Sequence, residues 1–326
     1  MADPTQFVRP ETIARMDGPE VDALLDRLDP LVPSEPALVL VAPAGSKTLG
    51  VIGDTHGDWR SSRAAVEWFL DSVGDRAFVG LGDYVDRAPT DSPAGSAVNA
   101  LFLVSLKAAY PDRVFLLRGN HEAGRRLPFE PHTLPEEMRS RWGPDRRRYD
   151  RLIDLLERGP LAAYTLSGVF LAHGGFPSRL TSPWTDRFRN VDDSLLVDLL
   201  WRDAAASPLD RGLSPAFTER DLEEFFHATG LRVFLRGHDP NVAGRSLYQD
   251  RCLTLHTTRL YAQYGGILAA HVPLDRPVRS TRDIEVVHLR TPDGAIGPDS
   301  AKRTRAPPPE GPQPTEPSGR PRAGAR

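Results

Sequence analysis

Five short stretches of this chain could do chemistry, and they share one grammar: an apolar run, then a glycine beside an aspartate, asparagine or histidine. They are Val51-Ile52-Gly53-Asp54-Thr55-His56-Gly57, Leu81-Gly82-Asp83-Tyr84-Val85-Asp86-Arg87, Leu117-Arg118-Gly119-Asn120-His121-Glu122, Leu171-Ala172-His173-Gly174-Gly175 and Leu235-Arg236-Gly237-His238. A polar side chain just past a buried strand is exposed at the strand end and rigidly held, and glycine lets the backbone approach closely. Oxygen and imidazole donors converging from several strand ends make a site for divalent first-row metals. Asp54 and His56 can face one ion. Asp83 can give one oxygen to that ion and one to a neighbour, and Asn120, His173 and His238 suit the second. Two cations about 3.5–4 Å apart can hold a shared water, lower its pKa to near 7 and clamp an in-line displacement at phosphorus. The implied chemistry is phosphoester hydrolysis.

The remaining polar residues of these motifs take the other roles that such a reaction needs. His121 follows Asn120 directly, so its side chain points away from a shared ligand position. It suits a general acid that protonates the leaving oxygen, with Asp86 orienting the imidazole. Arg87, and Arg211 in Asp210-Arg211-Gly212, are candidate phosphate clamps, because a guanidinium can hold two phosphate oxygens at once. Arg236 either assists or braces the site. His132, His227, His256, His271 and His288 read as surface or strand residues, with His256 the one to check.

The elements that position these residues read as alternating strands and helices. Apolar periodicity predicts one amphipathic helix within residues 10–30, strands over 37–42 and 48–54 separated by a Pro43-Ala44-Gly45-Ser46 turn, a helix over 61–72 and a strand over 77–81. The last three make a βαβ unit. A helix over 96–109, a strand over 113–117, one or two helices within 136–157, a strand over 164–172 and helices over 191–201 and 218–229 follow, then mostly short strands to residue 289. The arginines between 139 and 151 read as a solvated helix face, with recognition of acidic partners as a second reading. The expected organisation is an N-terminal helix and strand packed on the core (1–45), a catalytic domain (46–290) and a disordered proline- and arginine-rich tail (291–326), which is too poor in large apolar side chains to fold.

Composition bounds the rest. The 326 residues are 40% hydrophobic, enough for a substantial core, and the net charge of −3 gives no global attraction to nucleic acid or to acidic membranes. The single cysteine leaves no disulfide framework and no thiolate cluster, so a metal would be held by His, Asp and Asn. No basic segment leading into an apolar core opens the chain, and no long apolar run follows, so a cytoplasmic protein is expected.

The ordered motifs, followed by Leu199-Leu200-Trp201-Arg202-Asp203, Asp210-Arg211-Gly212 and Arg236-Gly237-His238, resemble the phosphoprotein phosphatase family of metallophosphoesterases over residues 51–272. The resemblance implies an α/β fold, a four-layer αββα sandwich with the metal site at strand C-terminal ends. It implies two divalent metal ions, manganese first, iron or zinc as alternatives. It implies dephosphorylation of phosphoserine and phosphothreonine in a phosphoprotein substrate by direct attack of water bridging the metals. Asp54, His56 and Asp83 resemble the ligands of the first metal and Asp83, Asn120, His173 and His238 those of the second. His121 with Asp86 resembles the acid pair, and Arg87 and Arg211 the phosphate-binding arginines. Tyr261 is similar to a tyrosine that overhangs the family's site, although Ala262-Gln263-Tyr264 replaces the family's Cys-Gly-Glu continuation, Ala88 replaces a glycine and residues 89–95 lengthen the loop. Gly237-His238 is followed by Asp239-Pro240 rather than by the second histidine of Gly-His-x-His, which favours the protein phosphatase branch. The altered rim keeps two alternatives open: a phosphatase or pyrophosphohydrolase for small molecules such as dinucleoside polyphosphates, and an inactive phosphate-binding scaffold.

Overall fold

Runs such as Val169-Phe170-Leu171-Ala172 and Val233-Phe234-Leu235 are apolar on both sides, as strands covered on both faces must be, and the computed structural model of the chain covers them so. It describes residues 2–92, 94–208, 212 and 214–291. One sheet has five strands in the order β11 (Glu285–His288), β10 (Leu268–Pro273), β2 (Thr48–Ile52), β3 (Arg76–Gly80) and β4 (Val114–Leu116). The other has six: β1 (Leu38–Leu40), β5 (Ala162–Tyr164), β6 (Val169–Ala172), β7 (Val233–Arg236), β9 (Cys252–Thr254) and β8 (Ser246–Leu247).

Three apolar layers hold the molecule together. Between the sheets, Val51, Val79 and Leu81 pack against Leu171, Leu235 and Leu253. The outer face of the five-stranded sheet is covered by α1 (Pro10–Arg15), α2 (Gly18–Leu28), α3 (Trp59–Leu70), α4 (Gly95–Ala109), α5 (Leu134–Trp142) and α6 (Arg147–Glu157), with Phe69 and Phe102 in that core. The outer face of the other sheet is covered by α7 (Asp193–Trp201) and α8 (Glu219–Thr229), through Leu199, Phe225 and Phe226. This is the expected four-layer αββα sandwich. Helix α4 is buried on every side, which is why it lacks a polar face. Among the described residues no helix is long and apolar enough to cross a membrane.

The topology aligns the chemistry. Strands β2, β3 and β4 pair in parallel, and so do β6 and β7. The five residues or loops singled out above therefore leave C-terminal strand ends at one edge of the sandwich.

Several elements differ from the sequence reading. The helix expected within 10–30 is two helices, because Asp17 caps α2: its carboxylate accepts the Glu20 N–H at 2.9 Å while Glu20 accepts the Asp17 N–H at 2.8 Å. The strand expected over 164–172 is the antiparallel pair β5 and β6, folded at Thr165–Gly168, where Gly168 has φ +103°. The two strands flanking the Pro43 turn do not pair: β1 joins β5 in one sheet and β2 joins β3 in the other. The arginine run is a solvated face only in part: the side chains of Arg139, Arg146 and Arg147 are 62%, 83% and 86% exposed, whereas three others are tied to the N-terminal helices. Arg148 holds Asp22 with two bonds of 2.9 and 2.8 Å, Arg151 holds Asp26 at 2.6 Å and Arg141 donates to the Ala14 carbonyl at 2.8 Å, fastening α5 and α6 to the N-terminal helices. The tail beyond Thr291 lies outside the described residues.

Candidate metal centre

Three of the five motifs leave their strands through a backbone that few side chains adopt. His56, Asp83, Asp86, Arg87 and His238 all have positive φ, from 44° to 72°, a conformation disfavoured for non-glycine residues and characteristic of functional sites. Two glycines are needed for the resulting close approach. A Cβ on Gly119 would stand 2.2 Å from Asp83 Oδ1, and one on Gly237 would stand 2.2 Å from Asp54 Oδ1.

Asp54, His56, Asp83, Asn120, His121, His173 and His238 come together, all but solvent-excluded. The Nδ1–H of His56 donates to the Val85 carbonyl at 3.1 Å, and that of His173 to the Leu81 carbonyl at 3.1 Å. These carbonyls set the tautomers and turn both Nε2 lone pairs into the centre. Asp83 Oδ2 lies 3.7 Å from His56 Nε2 and 3.4 Å from His173 Nε2. His173 Nε2 in turn lies 2.9 Å from Asn120 Oδ1 and 3.1 Å from His238 Nδ1. Asp54 Oδ2 is 3.8 Å from His56 Nε2, and both Asp54 oxygens accept the His238 backbone N–H, at 3.0 and 3.1 Å.

These separations fit metal ligation. Donors about 2.1 Å from one ion stand roughly 3.0–3.4 Å apart at octahedral or tetrahedral angles, and several pairs here lie at or just beyond that span. Two groups of donors lie within 4.8 Å of one another and share Asp83: His56, Asp83 and His121, and Asp83, His173 and His238. The electrostatics agree. Burial works against a charged His173, but Asp83 and Asp54 outweigh it and push the imidazole up to about 9, so the carboxylates call for positive charge there. Burial, with Asp83 nearby, pushes Asp54 up to about 7, and burial lowers His56 to about 3, leaving a neutral ring fit to ligate.

Beside this centre, His121 Nδ1 lies 2.7 Å from Asp86 Oδ2, while its Nε2 is buried with no hydrogen-bond partner and lies 3.8 Å from Asp83 Oδ2. Despite burial, the bonds from His121 and His132 hold the Asp86 carboxyl well below the usual range. Asp86 also accepts the backbone N–H groups of Thr133 at 2.6 Å and Leu134 at 2.8 Å, where α5 begins. Arg87 donates to the Tyr261 hydroxyl at 3.3 Å, and the Tyr261 ring stands edge-on to His56 with centroids 5.9 Å apart. Tyr261 thus sits at the site. Arg211 lies outside the described residues. Arg236 is fully buried and bonded to Asp203 at 3.1 Å and to the Gly174 carbonyl, so it braces the loops rather than facing the opening.

Four features of the site went unread in the sequence. Glu122 stood in a quoted motif without a role, yet its carboxylate holds the Asp83 loop by two backbone bonds and Gly119 by a third. His132 lies 3.0 Å from Asp86 through Nδ1 and 2.9 Å from the Tyr149 hydroxyl through Nε2. Arg259 binds buried Asp58 and, through 2.8 and 3.1 Å contacts, Asp91 of the lengthened loop. His256 is not a surface residue but lines the centre, 1% exposed, beside Asp54. No local pattern announces the last three.

A two-sheet sandwich with a shared carboxylate between two donor groups at its strand ends is the architecture of a metal-dependent phosphoesterase. Residues 47–242 match the calcineurin-like phosphoesterase family, and the chain belongs to it. That family implies divalent metal ions, for which the structure has these donor groups. The serine/threonine-protein phosphatases T of Schizosaccharomyces pombe and Saccharomyces cerevisiae are each 26% identical to it over 262 residues, 76% of this chain. The chain spans about half the length of these curated relatives, 53% and 49%. A solved protein serine/threonine phosphatase from Saccharomyces cerevisiae has the same fold, with a TM-score of 0.64 at 24% identity over 88% of this chain and 93% of that one.

Proposed function

We propose that this chain is a phosphomonoester hydrolase with two divalent metal ions that dephosphorylates phosphoserine and phosphothreonine in proteins. The observation that carries the reading is the pair of donor groups sharing Asp83, the first of which includes His121, itself held by Asp86. The kinship to serine/threonine-protein phosphatases supports the choice of substrate.

In this reading Asp54, His56 and Asp83 hold the first ion, manganese first, with iron or zinc as alternatives, and Asp83, Asn120, His173 and His238 hold the second. When bound, such a pair polarises the phosphoryl oxygens and makes an attacking water a better nucleophile. The residues of the chain do the rest. His121 gives a proton from Nε2 to the departing serine or threonine oxygen, and Asp86 holds that ring by Nδ1 and stabilises its charged form. Arg87, steadied by Tyr261, faces the phosphate oxygens, and Arg211 is the second clamp. Burial of the ligands keeps bulk water from competing with the substrate phosphate.

The test is a substrate panel on the metal-stripped, full-length protein reloaded with Mn²⁺, Fe²⁺ or Zn²⁺. Phosphoseryl and phosphothreonyl peptides, p-nitrophenyl phosphate and a dinucleoside polyphosphate are compared by kcat/KM. Preference for the phosphopeptides is expected. Preference for the dinucleoside polyphosphate would reassign the substrate, and no turnover of any with two ions bound would leave a phosphate-binding scaffold.

A further inference from the structure

His256 occupies a place that the ligand set above leaves without a task. Past the end of β9 the chain crosses from one sheet to the other. His256 makes a parallel bridge with Asp54, the next residue donates its N–H to the Asp54 carbonyl at 2.9 Å, and the His256 carbonyl accepts the N–H of Leu268 at 2.8 Å. On the other side of the imidazole, Leu255 donates its N–H to the Arg236 carbonyl at the end of β7 at 2.8 Å, so the backbone around the ring is fastened to both sheets. Its ring has little freedom either: Tyr261 stands edge-on to it, with centroids 5.4 Å apart.

The ring fixed in this way is 1% exposed, and neither Nδ1 nor Nε2 has a hydrogen-bond partner. Burying an unsatisfied imidazole nitrogen forfeits its hydration with nothing in return, so such a group in a native protein calls for an ion or an ordered water. The direction of the ring distinguishes these. Nδ1 lies 3.6 Å from Asp54 Oδ2, the same oxygen that His56 Nε2 approaches at 3.8 Å. Both separations are too long for hydrogen bonds and close to the spacing of two donors on one ion. Two imidazoles converging on one carboxylate oxygen, neither bonded to it, are arranged as co-ligands.

We infer that His256 is a further ligand of the first metal ion, joining Asp54, His56 and Asp83. The inference rests on the metal-centre reading above. It gives the first ion two imidazoles and two carboxylates, and makes the crossover from β9 part of the ligand shell.

The test compares the full-length wild type with His256→Phe and His256→Asn, using Co²⁺ as the probe. Stoichiometry comes from elemental analysis after equilibrium dialysis, affinity from calorimetric titration and the ligand field from visible absorption. Two ions per wild-type chain are expected. Each variant should retain one ion at unchanged affinity, lose at least about 10-fold for the other, and change the d–d spectrum. A folded variant with two ions, unchanged affinities and an unchanged spectrum overturns the inference. Where a variant does not fold, an anomalous-difference map of Zn²⁺-loaded wild-type crystals decides instead: a His256 nitrogen about 2.1 Å from a peak supports ligation, and a ring turned away from every peak overturns it. Absence of metal uptake by the wild type would remove the metal centre itself, an outcome distinct from two ions held without His256.

Discussion

Glu122 Oε2 accepts the backbone N–H of Asp83 at 2.8 Å, and the same oxygen accepts the N–H of Gly119 at 2.8 Å while Oε1 accepts that of Tyr84 at 2.8 Å. One buried carboxylate thus ties the loop after β3 to the loop after β4 and holds Asp83 at its positive φ of 54°. Three N–H donors aimed at it leave no room for a donor in its place. Glu122→Gln turns an amide NH₂ toward at least one of those N–H groups, and a loss of about 1–3 kcal/mol is expected. Chemical denaturation measures the loss. Metal affinity, titrated on the folded variant, should fall with it, because the Asp83 carboxylate is no longer held between the two donor groups.

Asp83 is the one residue that both donor groups use. Asp83→Asn removes the second negative oxygen while keeping the shape, so turnover of phosphopeptide should fall at least about 100-fold and the bound metal should drop below the wild-type stoichiometry. Steady-state kinetics beside elemental analysis checks both. Wild-type turnover in the variant would show that no ion depends on Asp83.

The proton that His121 is placed to deliver matters in proportion to the basicity of the leaving oxygen. His121→Asn should lower kcat for a phosphoserine peptide by about 10²–10⁴-fold and for p-nitrophenyl phosphate much less, because nitrophenolate leaves without protonation. Equal losses on the two substrates would argue that His121 acts as a ligand instead. His132, bonded to the same Asp86 oxygen as His121, only helps to position that carboxylate. His132→Gln should therefore reduce the phosphopeptide rate by less than about 10-fold and preserve the selectivity between the substrates.

The lengthened loop is anchored by ion pairs of unequal value. Arg259 bonds Asp58, which is fully buried, and Asp91, whose side chain is 48% exposed. Arg259→Ala leaves the Asp58 charge buried with one hydroxyl and one backbone N–H to hold it, and should cost about 3 kcal/mol. Asp91→Ala should cost no more than about 1 kcal/mol. Arg259→Lys should not restore stability, because an ammonium cannot serve two carboxylates with a planar fork. Thermal melting of the three variants ranks these effects. Phosphopeptide KM for Asp91→Ala then reports whether the loop helps to bind substrate.

Burial pushes the Cys252 thiol up to about 12, from 9.0 in the unfolded chain. A folded-state value above the unfolded one means that the native protein keeps a proton that the unfolded chain gives up. This contribution to stability is complete below pH 9 and is lost as the pH rises from 9 toward 12. The native thiol should resist alkylation at neutral and mildly alkaline pH and react once the chain is denatured. Cys252→Ala, free of this proton, should show a flatter loss of stability over the same window. A native thiol that reacts as fast as the denatured one would contradict its burial.

Much of the site was legible because its grammar is local. An apolar run, a glycine and a donor residue within a few positions are enough to place Asp54, Asp83, Asn120, His173 and His238 at strand ends, and the alternation of strands and helices predicts parallel pairing that turns those ends the same way. Boundaries failed where one turn competes with a longer period. Asp17-Gly18-Pro19 starts a second helix inside one apolar pattern, and Gly168 folds one expected strand into two.

The sequence by itself determined which donor atoms the chain could offer and that each leaves a buried strand, because strand formation and turn chemistry depend on neighbours in the chain. Tertiary structure decided how they are shared. It sent β1 and β2 to different sheets, paired arginines of α6 with the acids of α2, and laid His132 beside Asp86 and His256 beside Asp54 across 46 and 202 intervening steps of chain. The physical reason is that burial and electrostatics act on distance in space, whereas periodicity reports only on the face a residue shares with its near neighbours. A histidine such as His256 looks ordinary among its chain neighbours and takes on a role only when the other sheet brings a carboxylate to it.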